Sequence, residues 1–202
     1  MFDPHIYSNR RSELSQSLKD GFILLCGNNE VPMNYQSNSY PFVQDSSFLY
    51  YCGLDSPNLN LLINTYENTA TLYGTSQSID DVIWCGQSNT LNELAGLAHI
   101  DQISKNNNII EDVNRILSKG EKFHILPQYR SDNKQILSEI FGKDKWQNYI
   151  SMDLIRSVIA QRSIKSELEV GEIIDAMVVT KSMHEMAMMN TKPGKTEQEI
   201  VV

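Results

Sequence analysis

Three cysteines and four histidines are the residues of this 202-residue sequence whose chemistry could build a metal centre or a nucleophilic site. Each cysteine precedes a glycine: Cys26-Gly27, Cys52-Gly53 and Cys85-Gly86. Three thiols converging at strand ends would bind zinc, whereas a thiol buried beside a turn glycine explains the same pattern more cheaply. No Cys-x-x-Cys spacing occurs and three cysteines cannot all pair, so the thiols read as reduced, in a cytoplasmic protein. His184 lies near Met183, Met186, Met188 and Met189. A metal there would need roughly three convergent ligands, and methionines at helical spacing more often fill apolar contacts. His99 and Asp101 read as solvated loop residues, and His5 and His124 are isolated. There is no Gly-x-Ser-x-Gly elbow, no Gly-rich phosphate loop and no His-Glu-x-x-His pair. No catalytic residue and no metal ligand emerges from the residue types alone.

The elements that would position such residues follow an α/β pattern over the first ~150 residues, in which short apolar runs alternate with amphipathic stretches. Leu14 and Leu18, four apart, predict a helix over residues 10–19 that stops at Gly21. The run 22–26 predicts a buried strand, and the runs 61–63 and 70–73 predict a hairpin turning at Glu67-Asn68. Residues 81–84 and 122–126 are further strand candidates. Thr90 with Glu93 forms a capping box, Asn108 is a candidate cap for a helix closed by Gly120, and Asp132 starts another closed by Gly142. A second box, Ser166 with Glu169, opens one long helical pattern to about Asn190, broken by Lys192-Pro193-Gly194. Thr196 with Glu199 then signals a new helix, yet only six residues follow Thr196.

Composition narrows the partners. Hydrophobic residues make up 41% and charged residues 21%, ordinary for a globular chain, and the net charge is −8. That balance argues against a nucleic acid or an anionic membrane surface, both of which require clustered Lys and Arg. No stretch approaches the roughly 20 apolar residues of a membrane span, and Met1-Phe2-Asp3-Pro4-His5 shows no signal-peptide character.

Five segments, in order, resemble the aminopeptidase P and prolidase family. They are Arg10-Arg11-Ser12-Glu13-Leu14; the run from Asn38-Ser39-Tyr40-Pro41-Phe42-Val43-Gln44-Asp45 to Gly53-Leu54; Ile83-Trp84-Cys85-Gly86; Arg162-Ser163-Ile164-Lys165-Ser166 with Glu169; and Pro193-Gly194-Lys195-Thr196-Glu197. Where that family usually has Arg before Gln44, this sequence has Val43, which puts any contact made by that Arg in doubt.

The resemblance implies an α/β domain over residues 1–160, a mixed sheet flanked by helices, and then the first helices of a pita-bread catalytic domain over 161–202. It implies an Xaa-Pro aminopeptidase acting on proline-containing peptides, a homo-oligomer, and two divalent metals, commonly manganese. The metals would be held by two Asp, one His and two Glu downstream of the Pro193-Gly194 turn. On this reading the chain is part of a longer enzyme, serving subunit contact and substrate access, and is inactive by itself. Trp84 is the substrate-access candidate, matching a family tryptophan that reaches toward a neighbour's active-site mouth; the competing reading is a strand-end tryptophan packed in the core. The rival functions are a stand-alone peptide-binding or oligomerisation module and the equivalent domain of a prolidase or creatinase-type hydrolase.

Overall fold

The computed structural model describes residues 2–35, 38–143 and 145–201, with Cys85 described by its backbone alone. It divides into two compact units, one running to Gln161 and one starting at Arg162. The first unit is built on a five-stranded mixed sheet, ordered β4-β3-β2-β1-β5. Its strands are β1 (Phe22–Cys26), β2 (Asn60–Asn64), β3 (Thr69–Gly74), β4 (Gln102–Lys105) and β5 (Phe123–Ile125). β2 runs antiparallel to both β1 and β3, whereas β4 is parallel to β3 and β5 is parallel to β1.

The central strands read as unbroken apolar runs because both of their faces are covered. Ile23 and Leu25 point into one core with Leu61, Ile63 and Leu72, while Leu24 and Cys26 point into another with Leu62 and Tyr73. The first core is closed by α1 (Pro4–Leu18), α2 (Ser46–Cys52), α4 (Leu91–Leu97) and α7 (Met152–Ser163), which contribute Leu14, Phe48, Tyr51, Ala95, Leu154 and Val158. The second is closed by α5 (Ile109–Ser118) and α6 (Ser131–Phe141), with Val113, Leu137, Ile140 and Phe141.

Several expectations change at this point. Residues 81–84 are not a strand: they lie in α3 (Ile79–Cys85), because Ser78 and Asp81 form a reciprocal capping box that commits the segment to a helix. The first helix begins six residues before the expected start, with the Asp3 carboxylate as cap and Pro4 inside the first turn. It ends on Lys19 in the left-handed conformation rather than on Gly21. Asn108 caps nothing through its side chain, which donates to Ser104 Oγ at 3.2 Å instead. Asp132 lies inside α6 and binds Arg130.

The unit from Arg162 is dominated by α8 (Glu167–Asn190), opened by the Ser166–Glu169 capping box, and none of its residues is buried. The Thr196–Glu199 box is formed as well, over a short 3-10 turn at Glu197–Glu199.

Candidate functional site

Trp84 sits on the last turn of α3, 85% exposed. The core-packed reading is therefore not what the fold adopts. Ile79, Val82 and Ile83, spaced as one helical face, are exposed beside it. Every described side chain from 75 to 90 is exposed, so the segment is an excursion from the body of the unit, rooted where β3 ends. The root is tight: a Cβ at Gly74 would come 2.6 Å from Leu91 Cδ1 and 3.0 Å from Leu59 Cδ2.

One carboxamide holds the two sides of this excursion together. Gln77 Nε2 donates to the Gly86 carbonyl at 3.3 Å, and Gln77 Oε1 accepts from the Ser88 N–H at 2.9 Å. The capping box fixes the helix start, with Asp81 N donating to Ser78 Oγ at 3.1 Å and Ser78 N to Asp81 Oδ2 at 2.8 Å. The backbone N–H of Ser78 and its hydroxyl hold the Asp81 carboxyl below its ordinary value. A short, capped helix that presents an outward tryptophan beside Ile79, Val82 and Ile83 offers a nonpolar face to whatever meets it.

The remaining candidates are dispersed. Cys26 ends β1 and Cys52 ends α2, a helix rather than a strand, and the two lie in different cores. Burial pushes each thiol up to about 12, so both stay protonated near neutrality, as suits a core residue. The Cys85 thiol lies outside the described residues. His184 is exposed on α8, and His124 is buried in β5. His99 and Asp101 share a cleft of about 310 Å³ with Ser8, Arg11 and Asn68, and the His5 and His99 rings lie 4.5 Å apart. A larger cleft of about 660 Å³ lies along α5 and the sheet, with Thr71, Tyr73, Asp112 and Arg115 in its walls. Trp84 lines neither.

Among the described residues, no group of three His, Cys, Asp or Glu is placed to hold a metal ion. The described residues therefore do not fit the pair of divalent metals that the sequence resemblance implies.

What the resembling motifs build instead is the frame. Arg11, 5% exposed, donates to the carbonyls of Tyr51, Ala98 and His99 at 2.8, 2.9 and 2.8 Å, gathering the ends of α2 and α4 onto α1. Carbonyls at helix ends carry partial negative charge, which suits a buried guanidinium. Gln44 Oε1 accepts from the N–H groups of Asn28 and Asp45 at 2.7 and 2.9 Å, while its Nε2 donates to Ser56 O at 2.8 Å. Asp45 then caps α2 through Ser47 N and Phe48 N, both at 2.9 Å. Val43, 70% exposed, enters this network only by its carbonyl, which accepts from Asn28 Nδ2.

Residues 7–126 match the family model described as the aminopeptidase P N-terminal domain. The chain belongs to that family. Relatives of this aminopeptidase P N-terminal domain include a protein of Aspergillus fumigatus named as a probable Xaa-Pro aminopeptidase, 25% identical over 187 residues, which are 91% of this chain and 37% of that protein. A second, from Chaetomium globosum and named likewise, is 24% identical over 89% of this chain and 29% of its own length. The chain thus spans about a third of these relatives. Among solved structures, Escherichia coli aminopeptidase P superposes with a TM-score of 0.81 at 19% identity, over 99% of this chain and 48% of that one. The same enzyme solved with the inhibitor Pro-Leu gives a TM-score of 0.81 at 20% identity. At such identities the likeness establishes the fold: a mixed sheet flanked by helices, as the sequence implied. No described helix is long and apolar enough to cross a membrane.

Proposed function

We propose that this domain belongs to a metal-dependent Xaa-Pro aminopeptidase, where it provides subunit contact and one wall of the substrate entrance, with Trp84 as the contacting residue. The observation that carries this reading is the 85% exposure of Trp84 on a capped helix whose other apolar residues also face outward. An exposed apolar face of this kind is stabilised by meeting a second surface, and a homo-oligomer supplies one. In that assembly residues 1–160 act as the N-terminal domain, and residues 161–202 open the pita-bread domain. The substrate would be a peptide with proline second, as the names of the relatives and the Pro-Leu inhibitor of the bacterial neighbour suggest.

The metals, manganese in the commonest case, would supply a hydroxide and Lewis-acid stabilisation in that enzyme; no catalytic step is assigned to the described residues. The reduced, buried Cys26 and Cys52 favour a cytoplasmic setting.

The test is kinetic. In the full-length enzyme carrying this domain, Trp84→Ala is expected to raise KM for an Xaa-Pro peptide roughly tenfold while the circular dichroism of the folded chain stays unchanged. An unchanged KM overturns the substrate-access role. The 202-residue chain alone, supplied with Mn²⁺, is expected to cleave nothing; manganese-dependent cleavage by the pure chain would overturn the division of labour.

A further inference from the structure

His124 occupies the middle of β5, 8% exposed, with both ring nitrogens engaged. Nε2 lies 2.9 Å from the carbonyl of Asp20, an atom that can only accept, so the ring proton belongs on Nε2. Nδ1 is then left to accept from the Ser151 hydroxyl at 2.8 Å. Ser151 is the residue that starts α7: its Oγ accepts from Leu154 N at 3.2 Å and its carbonyl from Ile155 N at 3.1 Å. Its own N–H donates to Ile125 O at 3.2 Å. A single order of protons therefore runs from Leu154 N–H through Ser151 and His124 to Asp20, and it requires a neutral imidazole.

We propose that His124 is a protonation-sensitive latch on the start of α7. A second ring proton would point Nδ1–H at Ser151 Oγ, and the hydroxyl would lose the acceptor it now has. The new charge would also lie at a helix N-terminus, which already carries partial positive charge. The charged and titratable groups around the site are Asp20 ahead of β1, Tyr66 in the β2–β3 turn, Glu121 and Lys122 ahead of β5, and Asp153 in α7. Asp20 is already engaged with Lys122. The ring packs against the chain at Gly21, where a Cβ would come 2.9 Å from Nε2. The helix it latches carries Leu154 and Val158 into the first core, so the loss acts on the packing of that face.

The test is amide hydrogen exchange of the whole chain, read by NMR between about pH 7.5 and about pH 5. Leu154 and Ile155 are expected to lose protection roughly fivefold on acidification, beyond the intrinsic pH dependence of exchange. In His124→Gln that step is expected to vanish. Ser151→Ala, which leaves the histidine in place, is expected to lower protection at every pH and to abolish the step. Flat protection in the wild type overturns the latch, and so does a step that persists in either variant.

Discussion

The Arg11 guanidinium donates to the carbonyl of Tyr51 at 2.8 Å, joining residues 40 positions apart at the point where α1 crosses the end of α2. Two further carbonyls, of Ala98 and His99, share the same guanidinium. Burial draws the Arg11 group below its ordinary value, yet an arginine keeps its charge at any pH where the protein folds. Arg11→Met should destabilise the domain by about 3 kcal/mol, since it strands three carbonyls at helix ends. Arg11→Lys should recover only part of that, because a lysine lacks the planar fork. Urea unfolding followed by circular dichroism measures both.

Gly53 and Gly120 separate a conformational requirement from a steric one. Both have positive φ, +70° and +78°. A Cβ on Gly53 would sit in the ring of Tyr7, whereas one on Gly120 meets nothing within 4 Å. Gly120→Ala is expected to cost about 1 kcal/mol, the ordinary penalty of the left-handed region. Gly53→Ala should cost more than twice that, and Tyr7→Ala introduced with it should recover part of the difference. Thermal melts of the three variants test the order.

Two helix starts are expected to loosen in acid. The backbone N–H and hydroxyl of Ser78 hold Asp81 below its ordinary value, and those of Thr90 do the same for Glu93. A carboxyl whose folded value is depressed contributes stability above its unfolded value and loses it as pH falls through the folded one. Side-chain carboxyl NMR titration should place both midpoints below those of unstructured peptides. In Ser78→Ala and Thr90→Ala they should move up.

Cys26 and Cys52 should resist thiol reagents in the folded state, because burial holds both as protonated thiols. In a Cys85→Ser background, Ellman's reagent is expected to label neither until urea unfolds the domain. Labelling of Cys26 in native buffer would mean that its core opens locally.

The path from sequence to fold was uneven for a physical reason. Phe22–Cys26 reads as a strand because both faces of a central strand are apolar, and the structure places it there without a shift. The Thr90–Glu93 and Ser166–Glu169 boxes likewise mark the starts of α4 and α8, since a cap is a local bond between near neighbours. The same grammar was present in Ser78 with Asp81 and in Asp3-Pro4, and reading it there would have found α3 and the true start of α1. Gln102–Lys105 was illegible as a strand: it is a mostly exposed four-residue edge that acquires its pairing from β3. α7 was equally hidden, because the helix buries only Leu154 and Val158 and starts from a serine positioned by a distant histidine.

By itself, then, the sequence determined the α/β class, the central strands, the start of the long helix and the family motifs, all of which rest on local periodicity, capping or residue type. Only the tertiary structure decided what those motifs do. Apart from the Asp45 N–H next to Gln44, Arg11 and Gln44 act through bonds spanning 12 to 88 residues, and no local pattern encodes a partner that far along the chain. It also decided that Trp84 faces outward, because exposure is set by what packs over a residue, and nothing in the described unit covers α3.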